Sequence, residues 1–473
     1  MSRRSADSTP APFPAAFLAR QRMLLGAEAD AFEAALAEPA VRALRVNERK
    51  TSLAEVADRL ELAVDPVPWC PAATYLPQDA RPGDSAEHRA GLFYLQEPSS
   101  MAVIESLAIE PRHRVLDVAA APGGKATHAA SRLGGDGFLL VNEVVRSRLG
   151  PLLSNLDAWG YPNTAVASLP VARLADALPG IFDRVIADAP CSGEALFRRQ
   201  PASRAEWSEA GVAGAARRQG KLLDSAARTV APGGLLAYST CTFAPAENEQ
   251  QVTAFLARQP GWRLDDAGAL PGAVGAPVDG AGAGRVLRFY PHRCRCEGQF
   301  VALLRAPGEP RDQDRRPAVG PTRRPGGRAH PAWTAFAGQT LRERFDPARV
   351  LLRGTAFYLL PEPAGMPVGL ALRPGLALGA LVGRTFRPAH ALAMALAPAD
   401  VTAAEELGAA ELAEFRGGRP VRRPGPAGWV LVTMGRWPVG WARRSGDQLV
   451  PRLPGHARSR SHGGPAGAVG PAG

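Results

Sequence analysis

Five short apolar runs, at residues 114–118, 138–141, 164–167, 184–187 and 235–240, alternate with helical periodicity at 125–133, 146–159 and 213–230. Strands that alternate with helices imply a parallel, doubly wound sheet. Two further strands, 285–290 and 299–305, have no helix between them, as an edge hairpin would. The expectation is an α/β, Rossmann-like core of about seven strands spanning residues 99–305.

The flanks read differently. Residues 14–37 have the pattern of two short helices, 44–47 of a strand and 53–60 of a helix, while 69–84 is loop-rich. Residues 13–98 are therefore expected to form a small α+β domain. Residues 306–330 are rich in Pro, Gly and Arg and read as a flexible basic linker. Beyond it, 331–455 shows short strands at 356–360 and 429–434 and a helix at 403–414. Residues 1–12 and 456–473 have the composition of disordered tails. There is no internal repeat.

With 473 residues, the chain is too long for a single compact core. No apolar run reaches membrane-spanning length, and the start lacks the apolar core of a signal peptide, so a cytoplasmic protein with no membrane partner is expected. Five cysteines, an odd number, argue against a secreted disulfide framework. The net charge of +11 fits a polyanionic partner such as nucleic acid. Of the 56 basic residues, however, only Lys50, Lys125 and Lys221 are lysines, which points to a compositionally biased genome and weakens the charge argument. The same scarcity draws attention to Lys125.

Lys125 closes a run that follows the first strand: Ala119, Ala120, Ala121, Pro122, Gly123, Gly124, Lys125. Small residues let a ligand approach the backbone, and free amides at the start of the next helix favour a carboxylate or phosphate. The run is not GxGxxG, so a dinucleotide is the weaker reading. About twenty residues on, Glu143 follows the second strand, placed to accept hydrogen bonds from both ribose hydroxyls. This combination suits S-adenosylmethionine. The plain alternative is a tight strand-to-helix turn with no ligand.

Two cysteines follow strand ends, where active sites of open α/β sheets lie. Cys191 sits in Asp188-Ala189-Pro190-Cys191-Ser192-Gly193, and Cys241 in Ser239-Thr240-Cys241-Thr242. A lone cysteine is more often a buried small hydrophobe, and neither has a zinc partner at ligand spacing, so no metal is expected. Cys70, Cys294 and Cys296 are read as structural. Two thiols beside a methyl-donor loop suit covalent activation of a base turned out of its stack. A thiolate added at carbon 6 of cytosine makes carbon 5 nucleophilic. After transfer, a base removes the carbon-5 proton and the thiol leaves. Asp188 is positioned to bond the exocyclic amine and N3 edge of that base. These residues alone do not say which thiol attacks.

Together with Arg45-Val46-Asn47, Gly91-Leu92-Phe93-Tyr94-Leu95-Gln96-Glu97, Pro291-His292 and Gly298-Gln299-Phe300-Val301-Ala302, these motifs resemble the RNA cytosine-carbon-5 methyltransferases of the Nol/Nop/Sun family. The similarity covers roughly residues 13–455 and is greatest to its bacterial RsmF-type branch, which acts on small-subunit (16S) ribosomal RNA. Met434-Gly435-Arg436-Trp437 looks like the end of that branch's PUA-like extension. The resemblance implies an S-adenosylmethionine-dependent enzyme whose core is flanked by RNA-binding domains at 13–98 and 331–455. It implies Cys241 as nucleophile and Cys191 as the thiol that assists adduct release. The protein is expected to act as a monomer, with a tRNA methyltransferase and a non-catalytic ribosome-assembly factor as rivals. The sequence departs from the family twice. Ala119 stands at a frequent cysteine, and Ser168 stands where many members carry an aspartate to the adenine amine. Arg198, Arg199 and Arg204 are candidates to grip RNA phosphates, with a solvated loop as the alternative. His88 and His292 are read as structural or RNA-contacting.

Overall fold

A computed structural model of the chain describes residues 11–278, 285–310, 330–342, 345–361 and 369–458. The expected tails and the 306–330 linker lie largely outside these residues. The chain divides into two compact units, Met1–Arg323 with Leu360–Leu376, and Arg324–Leu359 with Ala377–Gly473.

The first unit opens with helices Ala15–Leu25 and Ala29–Ala37, as the pattern over 14–37 predicts. An antiparallel sheet follows, built from β1 (Ala43–Val46), β2 (Pro66–Val67), β3 (Cys70–Tyr75) and β4 (Phe93–Gln96) in the order β2-β3-β1-β4. Between β1 and β2, Ser52 accepts the Glu55 amide and so caps helix Leu53–Arg59. The region read as loop, 69–84, thus contains a strand. Its alanines and Pro71 mask the period-2 signal, and pairing with the fully buried β1 supplies what propensity lacks.

The central sheet holds β5 (Arg114–Asp117), β6 (Phe138–Asn142), β7 (Thr164–Ala167), β8 (Phe182–Asp188), β9 (Val230–Thr240), β10 (Arg263–Asp265), β11 (Val274–Pro277), β12 (Arg285–Phe289) and β13 (Gln299–Arg305). Its order is β11-β12-β13-β9-β8-β5-β6-β7, with β10 on the flank of β13. All seven strands expected from the sequence are present. The additions, β10, β11 and one from 371–373, are too short to show a period. That last strand comes from Leu360–Leu376 and pairs antiparallel with β7.

Strands β5 to β9 pair in parallel. Helices Gly124–Leu133, Arg146–Trp159, Val171–Ala177, Glu209–Ala227 and Glu249–Arg258 connect or flank them. Leu116, Leu140, Val185, Leu236 and Phe300 are fully buried in the resulting core. From β5 the chain winds outward through β6 and β7, then returns to place β8 and β9 on the other side of β5. This reversal between β5 and β8 opens a crevice at the carboxyl ends of the strands.

The second unit contains β14 (Val350–Arg353), β15 (Ala356–Leu359), β17 (Leu376–Val382) and β18 (Thr385–Pro388) in one sheet, numbering the 371–373 strand as β16. A second sheet has the order β19-β21-β22-β23-β20, from β19 (Ala404–Glu406), β20 (Val421–Arg422), β21 (Gly428–Met434), β22 (Trp437–Ser445) and β23 (Gln448–Pro451). The helix expected at 403–414 is therefore corrected. Its first residues pair with the buried β21 as a strand, and the helix runs Ala409–Arg416 after Gly408. Alanine and glutamate favour helix, but the available sheet edge overrides that weak preference. No helix among the described residues is long and apolar enough to cross a membrane.

Candidate active site

The crevice holds a cavity of about 270 Å³. From the sheet side it is lined by Asp117, Ala119, Ala120, Ala121, Pro122, Gly124, Lys125, Asp188 and Cys241. Tyr94, Gln96 and Glu97 reach it from β4 and the residue after it, and Arg199, Gly298 and Gln299 are also in the wall.

The glycine-rich loop turns through Gly123, whose φ of +115° suits glycine and starts helix Gly124–Leu133. Beneath it lies Arg45, fully buried, which donates to Gln96 Oε1 at 3.0 Å, the Gly124 carbonyl at 3.2 Å and Thr127 Oγ1 at 2.9 Å. Arg148 donates to the Ala121 carbonyl at 2.6 Å and Asn155 to that of Pro122 at 2.8 Å. The loop is thus held from both sides while its own small side chains leave the cavity open.

Asp188 ends β8, opposite Ser239 on β9. Its Oδ2 accepts from Lys125 Nζ at 2.8 Å and its Oδ1 from Ser239 Oγ at 2.7 Å. Burial works to lower the Lys125 ammonium, but Asp188 outweighs it and raises the group, so Lys125 stays charged. Asp117, which was not singled out from the sequence, is also in the wall. It is almost fully buried, its Oδ1 takes the Ala119 amide at 3.3 Å, and its Oδ2 has no partner. Burial, and then Asp188 nearby, push its carboxyl up to about 7. The signal available was an acid ending the strand directly before the glycine loop.

Glu143 follows β6 and is buried; its Oε1 accepts the Val145 amide at 2.8 Å and its Oε2 has no hydrogen bond. Arg148 Nη1 stands 3.4 Å from that second oxygen. Glu143, Gly123 and Ser168 do not line the 270 Å³ cavity itself. Ser168 is half-buried just past β7.

The neighbouring strand ends bring the two thiols together, with Cys191 Sγ 3.4 Å from Cys241 Sγ. Only Cys241 lines the cavity. Their loops are tied by Ser192 Oγ and Thr242 Oγ1 at 2.8 Å, by the Ala195 amide on the Cys241 carbonyl at 3.0 Å, and by the Phe243 amide on Glu194 Oε2 at 3.0 Å. Glu247, fully buried, receives the Ser192 amide at 3.0 Å, Ser192 Oγ at 2.5 Å and Gln219 Nε2 at 2.8 Å. The hydrogen bond to Cys241, then burial, raise the Cys191 thiol well above its ordinary value, and Glu247 adds to this. Cys241 instead interacts with the Lys125 ammonium.

The first two helices back these loops. Phe17 packs edge-on against Phe197 at 5.1 Å, Phe32 against Phe243 at 5.2 Å, and Phe243 stacks on Tyr290 at 5.5 Å. Arg20 pairs with buried Glu194 at 2.5 Å. Of the three candidate phosphate-gripping arginines, two are turned inward. Arg198 pairs with Glu297 at 2.9 Å, and Arg204 lies 3.8 Å over Phe13. Arg199 alone is exposed at the cavity. His88 bonds the Gly83 carbonyl at 2.8 Å and His292 bonds Glu28 at 2.9 Å, both structural. Cys70, which has no partner visible in the sequence, meets Glu105 and His128, with ligating atoms within 4.8 Å of one another. Glu105 already accepts from His128 and Arg132.

Comparison with known proteins accounts for most of the chain. Residues 104–305 match the family described as 16S rRNA methyltransferase RsmB/F, and 13–98 match the N-terminal domain of 16S rRNA methyltransferase RsmF. Residues 335–396 match the first C-terminal domain of RsmF, and 403–459 its PUA domain. Ribosomal RNA small subunit methyltransferase F of Cronobacter sakazakii is 34% identical over 467 residues, 93% of this chain and 95% of its own. The protein of the same name from Salmonella paratyphi B is 35% identical, covering 93% and 96%. A solved methyltransferase homologue from Pyrococcus horikoshii superposes with a TM-score of 0.53 at 27% identity, covering 61% of this chain and 93% of its own. The chain belongs to the RsmF family of 16S ribosomal RNA methyltransferases.

Proposed function

We propose that the protein transfers a methyl group from S-adenosylmethionine to carbon 5 of a cytosine in small-subunit ribosomal RNA, through a covalent adduct between Cys241 and carbon 6. The observation that carries this reading is the asymmetry of the thiol pair. Cys241 lines the cavity on the Lys125 side, while Cys191 stands 3.4 Å away on the Glu247 side.

The residues present fit the methyl donor. Buried Asp117 and Glu143 each present a carboxylate oxygen without a hydrogen bond, suited to an ammonium and to ribose hydroxyls respectively. The amides at the start of helix Gly124–Leu133 suit a carboxylate. S-adenosylmethionine supplies a sulfonium-activated methyl group there.

Asp188, with Lys125 and Ser239 fixing its carboxylate, holds the cytosine edge. Cys241 forms the sulfur–carbon-6 bond, and the electron pair that appears at carbon 5 takes up the methyl. Cys191 then assists release. Its proton is held on chiefly by the bond to Cys241. Once Cys241 is a thioether that restraint is gone, and Cys191 ionises more readily. Having lost its own proton to solvent, the Cys191 thiolate accepts the carbon-5 proton as the sulfur–carbon bond breaks and Cys241 leaves as thiolate.

The test is transfer of label from S-adenosylmethionine to small-subunit rRNA, with tRNA as control and nucleoside mass spectrometry of the product. The reading predicts 5-methylcytidine in the rRNA. A label found on another atom, only in tRNA, or in neither RNA would overturn it.

A further inference from the structure

Gln299 begins β13 and is only 4% exposed, yet it is part of the cavity wall. Phe300 pairs with Thr240 across the antiparallel β9–β13 ladder, so Gln299 stands one step further along, beside Cys241 where β9 ends. Its Nε2 donates to Asp188 Oδ1 at 3.4 Å. Gln299 thus lies between the thiol at the end of β9 and the carboxylate at the end of β8. The residues before it hold it in place. Gly298, at φ +135°, lets the Phe243 ring come to 2.5 Å from where a Cβ would sit. Glu297 pairs with Arg198 at 2.9 Å.

The Gln299 amide has bonding capacity left over. Asp188 Oδ1 can only accept, so the atom facing it is the Nε2 donor, and this sets the orientation of the amide. Oε1 is therefore turned away from Asp188, and no hydrogen bond among the described residues reaches it. It is open to the cavity rather than sealed in the core. Buried polar groups normally have partners, so a free acceptor in a ligand cavity marks a place for a donor. The carboxylate of Glu97, in the same wall, is occupied. Its Oε1 takes the Glu297 amide at 2.8 Å, and its Oε2 takes the Ser100 amide at 2.8 Å and Ser99 Oγ at 2.7 Å.

The exocyclic amine of cytosine carries two hydrogens, whereas the matching atom of uracil is a carbonyl oxygen with none. We infer that Gln299 determines the choice of cytosine over uracil, its Oε1 accepting one amine hydrogen while Asp188 accepts the other. Asp188 Oδ2 takes one bond from Lys125 and has a second lone pair for this. Uracil would set its oxygen against two acceptors with no proton between them. A site built to bond a donor strongly rejects an analogue that lacks it. The inference rests on the cytosine-methylating reading and adds to it the residue that selects the base.

The test compares kcat/KM of the full chain on two RNAs: a small-subunit rRNA fragment spanning its methylated cytosine, and the same fragment with uridine at that position. Nucleoside mass spectrometry scores 5-methylcytidine and 5-methyluridine. The unmodified protein should strongly prefer the cytidine fragment. Gln299→Met, similar in volume but without the amide, should lower that preference about ten- to a hundredfold. If its thermal melt shows that it does not fold, Gln299→Leu carries the same test. A folded variant with the preference unchanged overturns the inference. So does one that slows equally on both fragments, as loss of a purely structural residue would. Neither outcome touches the cytosine-methylating reading, which fails only if the unmodified protein leaves no 5-methylcytidine in the RNA.

Discussion

A carboxylate that ionises only near neutrality is an awkward thing to bury, and Asp117 is nearly fully buried with one oxygen unpartnered. In the free protein its carboxyl is raised to about 7, so the folded state holds a proton that the unfolded chain releases. Folding stability from this group is present at low pH and is lost as pH rises through about 7. A bound ammonium reverses the preference. Cofactor affinity should therefore climb between about pH 6 and 8, with proton release visible as a buffer-dependent heat in calorimetry. Asp117→Asn should flatten that pH profile and raise the melting temperature of the free protein at pH 8. Glu247 acts at one remove, through Ser192 and the turn that carries Cys191. Glu247→Gln should cost about 1.5–3 kcal/mol in the barrier, roughly ten- to a hundred-fold in kcat, with little change in KM. A purely structural role would lower stability without letting the covalent RNA adduct accumulate, so the adduct on a denaturing gel separates the two. Sequence reading singled out Glu143, Asp188 and both thiols because strand ends and spacing announce them. It passed over Asp117 and Glu247, whose importance lies in burial and in partners that the fold brings near.

At the level of elements, the first two helices support the loops that carry the two thiols. Phe17 and Phe32 are fully buried and pack against Phe197 and Phe243, which lie just beyond Cys191 and Cys241. Phe32→Ala should destabilise the protein by about 3–5 kcal/mol in denaturant unfolding. At permissive temperature it should also lower methyl transfer, because the Phe243 loop loses its support. The helices themselves were legible at 14–37, but their destination was not, since a hydrophobic stripe does not name the surface it will cover. The same limit explains the misreadings. Strand Cys70–Tyr75 hides behind alanines and a proline, and Ala404–Glu406 looks helical until β21 offers it an edge. Arg198 and Arg204, read as candidates for RNA, instead bind Glu297 and Phe13.

Over the whole molecule, the order of the central strands makes the site. The chain reverses between β5 and β8, so the loops after β5, β8 and β9 open into one crevice. The parallel, doubly wound sheet was legible in the alternation of short apolar runs with helices, but the order of its strands was not. The pairing of Asp188 with Ser239 in adjacent strands then fixes how near the two thiols must come. The residues alone left open which thiol attacks, and only the family resemblance assigned attack to Cys241. The structure gives the two cysteines unlike surroundings, Lys125 beside Cys241 and Glu247 beside Cys191. The decisive measurement is denaturing electrophoresis of cysteine variants after incubation with rRNA and S-adenosylmethionine. Cys191→Ala should leave a protein–RNA adduct that survives denaturation, and Cys241→Ala should form none and transfer no methyl. An adduct trapped by Cys241→Ala and absent from Cys191→Ala would show that the roles are reversed.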